Sequence, residues 1–268
     1  MKSKMRTLRR GALFASVLYC TSAQVRATEA PRLVHVFVAL ADNAHQGMVP
    51  VPAMLGNGDD PERNLYWGAA FGVRTFFGKS TEWRETQRIE NPYKGVLERI
   101  VFQHRSADVV MVADAYQGSA IAQALTDFLS AAAGIRLHKA EFSVCAFRST
   151  QPCPPEDPEL VVYVGHDGLM DFSLAQAISS VDTVKRKAII LACASKQYFG
   201  APLKPTGAQP LLWTTNLMAP EAYTLKAALD GWILGEPAEK IRQRAAAAYA
   251  QYQKISVTAA LRLFSSSW

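Results

Sequence analysis

Short runs of apolar, mostly β-branched residues recur along this chain, separated by stretches with helical spacing or by turn-forming residues. Residues 32–41 (RLVHVFVALA), 108–115 (DVVMVADA), 160–164 (LVVYV) and 188–192 (AIILA) read as strands buried on both faces, with 211–215 as a further strand. Residues 73–77 and 142–147 read as short strands, and 96–104 as either an antiparallel edge strand or a short helix. Helices are predicted to begin near residues 64–72, over 119–133 with Gly134 as the stop, over 219–232 with Pro220 in the first turn, and over 237–252. Residues 78–106 are otherwise polar, with a turn at 91–95, and the tail beyond 252 is expected to fray. A segment long enough for a crossover helix separates the strands at 160 and 188, so these read as parallel neighbours. Strands alternating with helices predict one α/β domain over residues 28–268: a doubly wound, three-layer sandwich whose mostly parallel sheet is flanked by helices.

The first residues change the meaning of the totals. Lys2, Lys4, Arg6, Arg9 and Arg10 precede the apolar run 11–19, and small residues then offer cleavage at 21–23 or 25–27. This is the layout of a secretory signal peptide over residues 1–27, with an apolar run too short to span a bilayer. The expected location is therefore outside the cytoplasm, periplasmic or secreted, with no transmembrane segment after processing. The whole chain carries a formal net charge of +6, from 29 Lys and Arg against 23 Asp and Glu. The leader holds six of the basic residues and none of the acidic ones, so the mature chain is formally neutral. A basic nucleic-acid-binding surface loses its main support, and no nucleic-acid partner is expected. The sequence leaves the oligomeric state open.

Three cysteines survive removal of the leader. Cys145 and Cys153 flank a turn-rich segment, either as a small disulfide loop in an oxidising compartment or as two unrelated thiols. Cys193 is left over, just past the strand at 188, while His166 lies just past the strand at 160. Adjacent strands lie about 4.8 Å apart, so imidazole and sulfur are expected near one sheet edge as proton carrier and nucleophile. The bland alternative is a cysteine buried as a small hydrophobe and a histidine that satisfies a loop.

Chain order separates the nucleophile classes. All five histidines precede Cys193, there is no Gly-x-Ser-x-Gly elbow, and papain-like enzymes place cysteine first. Gly165-His166-Asp167-Gly168 and Ala192-Cys193 resemble the His-Gly and Ala-Cys signatures of the caspase, gingipain and CHAT-domain superfamily, over about residues 105–235. The resemblance implies a cysteine peptidase with a peptide or protein substrate and no cofactor or metal. It also implies an oxyanion hole from the backbone N–H groups of Gly168 and Cys193, and a specificity-pocket wall from Trp213, Thr214, Thr215 and Asn216. Asp167 departs from the pattern, which puts glycine directly after the histidine; a carboxylate there repels an oxyanion unless it points away. This departure favours the alternative, a catalytically inactive caspase-like protein that binds a peptide or envelope partner.

The loop over residues 42–60, rich in Gly, Pro and Asx, leaves the first strand at the same edge. Asp42, Asn57, Asp59 and Asp60 have oxygen ligands suited to calcium, but their spacing matches no EF-hand, so turn formation is the better account. The loop is expected to rim the cleft, with Asp42 and His45 as secondary site residues and Asp114, Tyr116 and Asp167 as further lining. A small-molecule site at the switch point is a third reading without a motif behind it.

Overall fold

The computed structural model describes residues 31–46, 50–137 and 157–268. The leader at 1–27, the strand expected at 142–147 and the Cys145–Cys153 pair lie outside the described residues. Among the described residues eight strands form one mixed sheet: β1 (Arg32–Ala39), β2 (Trp83–Tyr93), β3 (Val96–His104), β4 (Val109–Tyr116), β5 (Leu160–Val164), β6 (Lys187–Leu191), β7 (Gln209–Thr214) and β8 (Phe264–Ser265). Their spatial order is β2-β3-β4-β1-β5-β6-β7-β8. The inner five, β4-β1-β5-β6-β7, are parallel, while β2, β3 and β8 pair antiparallel at the flanks. The sheet is thus parallel only in its middle. From β1 the chain goes to β4 on one side and then returns to β5 on the other, so the direction of winding reverses between β1 and β5. In open α/β sheets the crevice outside such a reversal is where sites form.

Side-chain alternation assigns the layers. Val34, Val36 and Val38 face one core together with α1 (Val73–Gly78), α4 (Ala222–Ile233) and α5 (Ala238–Gln253). Phe37 and Ala39 face the other, packed by α2 (Ile121–Ala132) and α3 (Ser195–Leu203). Continuous apolar strands such as LVVYV are explained by this arrangement, because both faces are covered. No helix among the described residues is long and apolar enough to cross a membrane.

Several elements differ from expectation. Residues 64–72 form turns: Cβ atoms at Gly68 and Gly72 would run into the backbone of Glu62 and Trp67, so these glycines serve close approach rather than a helix. Gly72 instead caps the N-terminus of α1, which replaces the short strand expected at 73–77. The polar stretch after α1 is β2, an edge strand of eleven residues. Its alternation is broken by register irregularities between Glu85 and Gln87 and between Glu90 and Tyr93, and pairing with β3 supplies its stability. β3 is consequently an inner strand, not the edge. Between β5 and β6 only a 3₁₀ turn (Gly168–Met170) forms, not a crossover α-helix. Pro220 lies just ahead of α4, whose N-cap is Glu221. The tail folds as α6 (Val257–Leu263), capped by Ser256 Oγ accepting from the Ala259 N–H, and then as β8 on β7.

Candidate functional site

β5 and β6 are adjacent and parallel, and their last paired rung is Val164 with Leu191. His166 and Cys193 each stand two residues beyond that rung, at the same carboxyl edge. The chain leaves β5 through Gly165, whose N–H donates to Leu191 O at 3.2 Å. Its φ of +148° and the 2.7 Å that would separate a Cβ from Ala39 O demand glycine. The backbone of β5 is thereby pressed against the end of β1, at the winding reversal.

His166 is nearly buried, at 8% exposure. Tyr163 donates its hydroxyl to His166 O at 2.8 Å, and His166 Nε2 lies 2.6 Å from Asp171 Oδ2. Asp167 is fully buried. Its Oδ1 accepts from the Leu169 N–H at 3.0 Å, while the buried Oδ2 has no partner among the described residues. Burial, with the Asp171 charge adding, pushes the Asp167 carboxyl up to about 7 against the Leu169 and Met170 amides. The Gly168 N–H, implied by resemblance as an oxyanion donor, gives its hydrogen to His166 O at 3.1 Å. A Cβ on Gly168 would meet Phe172 and Ile121, so this amide sits within packed chain.

Cys193 occupies a strand–turn–helix corner between β6 and α3. The next residue, Ala194, has φ +46° and ψ +32°, and its N–H donates to Asn216 O at 2.9 Å. Ser195 Oγ donates to Ile190 O, and Thr214 bonds both Ser195 and Ala192 O, which ties the corner to β7. The half-buried thiol is free. Its Sγ accepts from the Met218 N–H at 3.4 Å and lies 3.6 Å from Met218 O. Burial pushes the thiol above its usual range; the Met218 amide opposes this and the Asp167 charge reinforces it. The Cys193 N–H has no acceptor among the described residues, so it is an unspent amide at this edge, as are those of His166 and Asp167. An alanine in the left-handed region costs about 1 kcal/mol. Ala194→Gly is therefore expected to raise stability by ~0.5–1 kcal/mol in urea denaturation, and a loss of stability would refute the strain.

The remaining predicted residues distribute around this edge. Asp42 is buried where Gly58 and Gly118 leave room for it. Its Oδ1 accepts from the Ala44 N–H, and its Oδ2 lies 2.8 Å from Nδ1 of exposed His45. Asn57 and Asp60 likewise accept from nearby backbone N–H groups, and Asp59 takes the Gln117 amide. Asx side chains thus build this loop, with buried Asn64 joining Ala41 to Asn57 O. Asp114 and Tyr116 are fully buried. Asp114 binds Arg99, His35 and Tyr93, and Tyr116 donates to Asp127, so both serve an internal polar network rather than a cleft wall. Trp213 is buried with its indole N–H on Ser267 O, and Thr215 is bonded to Leu263. The C-terminal segment therefore occupies two of the four residues expected to form a specificity wall, while Thr214 bonds Ser195 and Ala192 O and Asn216 Oδ1 accepts from the Leu217 N–H. Asp171 and Met218 are the site residues that sequence reading missed. Asp171 had one signal, an acidic residue one short turn after a strand-end histidine; Met218 acts through its backbone and had none.

No protein-family model, curated protein or solved structure matches the chain.

Proposed function

We propose that this chain is an exported, caspase-like cysteine hydrolase, acting on peptides or proteins, with Cys193 as nucleophile and His166 as proton carrier. The observation that carries the reading is the matched offset of the two residues beyond the Val164–Leu191 rung of adjacent parallel strands. In the mechanism, the Cys193 thiol gives its proton to the imidazole and Sγ bonds to the substrate carbonyl carbon, placing the electron pair on oxygen. Collapse breaks the C–N bond, and the leaving amine takes the proton from His166. Water then attacks the thioester and releases an acid and the thiol. The Cys193 N–H is a backbone donor available to the oxyanion.

Two observations favour the second reading, an inactive fold used for binding. The Gly168 amide is committed to His166 O, and burial holds the thiol in its protonated form. One experiment separates the two. The full chain is treated with peptidyl acyloxymethyl ketones and, separately, screened against a fluorogenic peptide library. Hydrolysis and covalent labelling that vanish in Cys193→Ala and His166→Ala support the enzyme. A folded chain that resists labelling and turns over no peptide in the library supports the binding protein.

A further inference from the structure

The His166–Asp171 contact assigns the two ring nitrogens different work, and we infer that Asp171 is a positioning residue that keeps the His166 proton on Nε2 and leaves Nδ1 as the basic nitrogen. This rests on the reading of His166 as the proton carrier, but the tautomer itself can be measured without any activity.

The chain is built to bring this carboxylate back onto the ring. Asp167 Oδ1 accepts from the Leu169 N–H, the Met170 N–H donates to Asp167 O, and the Asp171 and Phe172 N–H groups both donate to Gly168 O. These bonds close the 3₁₀ turn (Gly168–Met170) and return residue 171 to within 2.6 Å of residue 166. A carboxylate only accepts, so the nitrogen facing it carries the hydrogen. The other nitrogen of a neutral imidazole then holds the lone pair, and Nδ1 has no hydrogen-bond partner among the described residues. Tyr163 adds a second restraint by holding His166 O at 2.8 Å. The ionisable groups at this turn are Asp171 on the ring, the buried Asp167 carboxyl beside it in the chain, which feels the Asp171 charge, and the Tyr163 hydroxyl on His166 O; the Cys193 thiol feels the Asp167 charge. Of these Asp171 makes the direct contact, and it is 41% exposed, so replacing it leaves the core packing alone. When a thiol proton is taken up at Nδ1, the ring becomes a cation whose Nε2–H already points at a carboxylate. The charge formed in the first step is thus stabilised where it appears.

The test is a long-range proton–nitrogen NMR spectrum of the full ¹⁵N-labelled chain, recorded under alkaline conditions in which the imidazole ring is neutral. The expected wild-type result is a pyrrole-type Nε2 and a pyridine-type Nδ1. Asp171→Asn is expected to mix the tautomers, and Asp171→Glu to restore the wild-type pattern. Where peptide turnover is measurable, Asp171→Asn should lower kcat by about 10³–10⁴-fold with little change in KM. A wild-type ring protonated on Nδ1, or an Asp171→Asn spectrum identical to wild type, overturns the inference. A wild-type tautomer as expected, in a chain that hydrolyses nothing, upholds the positioning and removes the hydrolase reading.

Discussion

Replacing Asp167 with asparagine is expected to stabilise the folded chain at about pH 8 by ~2–4 kcal/mol relative to its effect at about pH 4. The residue is fully buried, one oxygen lacks a partner among the described residues, and burial raises the carboxyl to about 7. In the unfolded chain the same group titrates near about 3.9. Between those two values the folded chain holds a proton that the unfolded chain has released. Stability therefore falls as pH rises through the window, by about 1.4 kcal/mol per unit, and the contribution of the Asp167 proton is fully lost above the folded value. Asparagine has no such window. The informative quantity is the change in the difference between variant and wild type across pH, which subtracts any fixed packing cost of the amide. Urea denaturation at several pH values measures it, and parallel profiles would show that Asp167 is not held neutral. The same variant removes a negative charge near the Cys193 sulfur, so its iodoacetamide reaction should shift to lower pH.

Asp114→Ala should cost the fold about 3–5 kcal/mol at neutral pH, the scale for breaking a buried ion pair. Asp114 sits on β4 between β1 and β3, with Arg99 Nε and Nη2 at 2.6 and 2.7 Å, His35 Nε2 at 2.9 Å and Tyr93 OH at 2.8 Å. Burial alone would push this carboxyl up; Arg99 and His35 outweigh it and hold the group well below the usual carboxylate range. A lowered folded value stabilises above about pH 3.9, the unfolded value, and that contribution disappears as pH falls toward the folded one. The penalty of the substitution should therefore shrink in acid. Chemical denaturation at neutral pH and at about pH 3 checks the sign. A neutral-pH cost below about 1 kcal/mol would place the network among weak surface pairs. Together the two aspartates bracket the fold's response to pH, one losing stability as the medium becomes alkaline and the other as it becomes acid.

The amino-acid sequence by itself determined the inner strands and the edge at which His166 and Cys193 emerge. Runs such as LVVYV and AIIL are strands because both faces of a parallel sheet are covered, a requirement visible in every residue of the run. β2 was not legible, because an edge strand with polar residues on both sides and broken alternation draws its order from β3 rather than from its own pattern. The C-terminal α6 and β8 were missed for the same reason: β8 is two residues long and exists through β7. At the site, residue type and order pointed to a sulfur and an imidazole. Only tertiary structure decided that Gly168 spends its amide inward, that Met218 clasps the thiol through its backbone, that Asp114 faces Arg99 and that Asp171 meets the ring. Each of these depends on where a turn returns the chain or which strand lies alongside, and local composition does not encode the direction in which an individual N–H or side chain points.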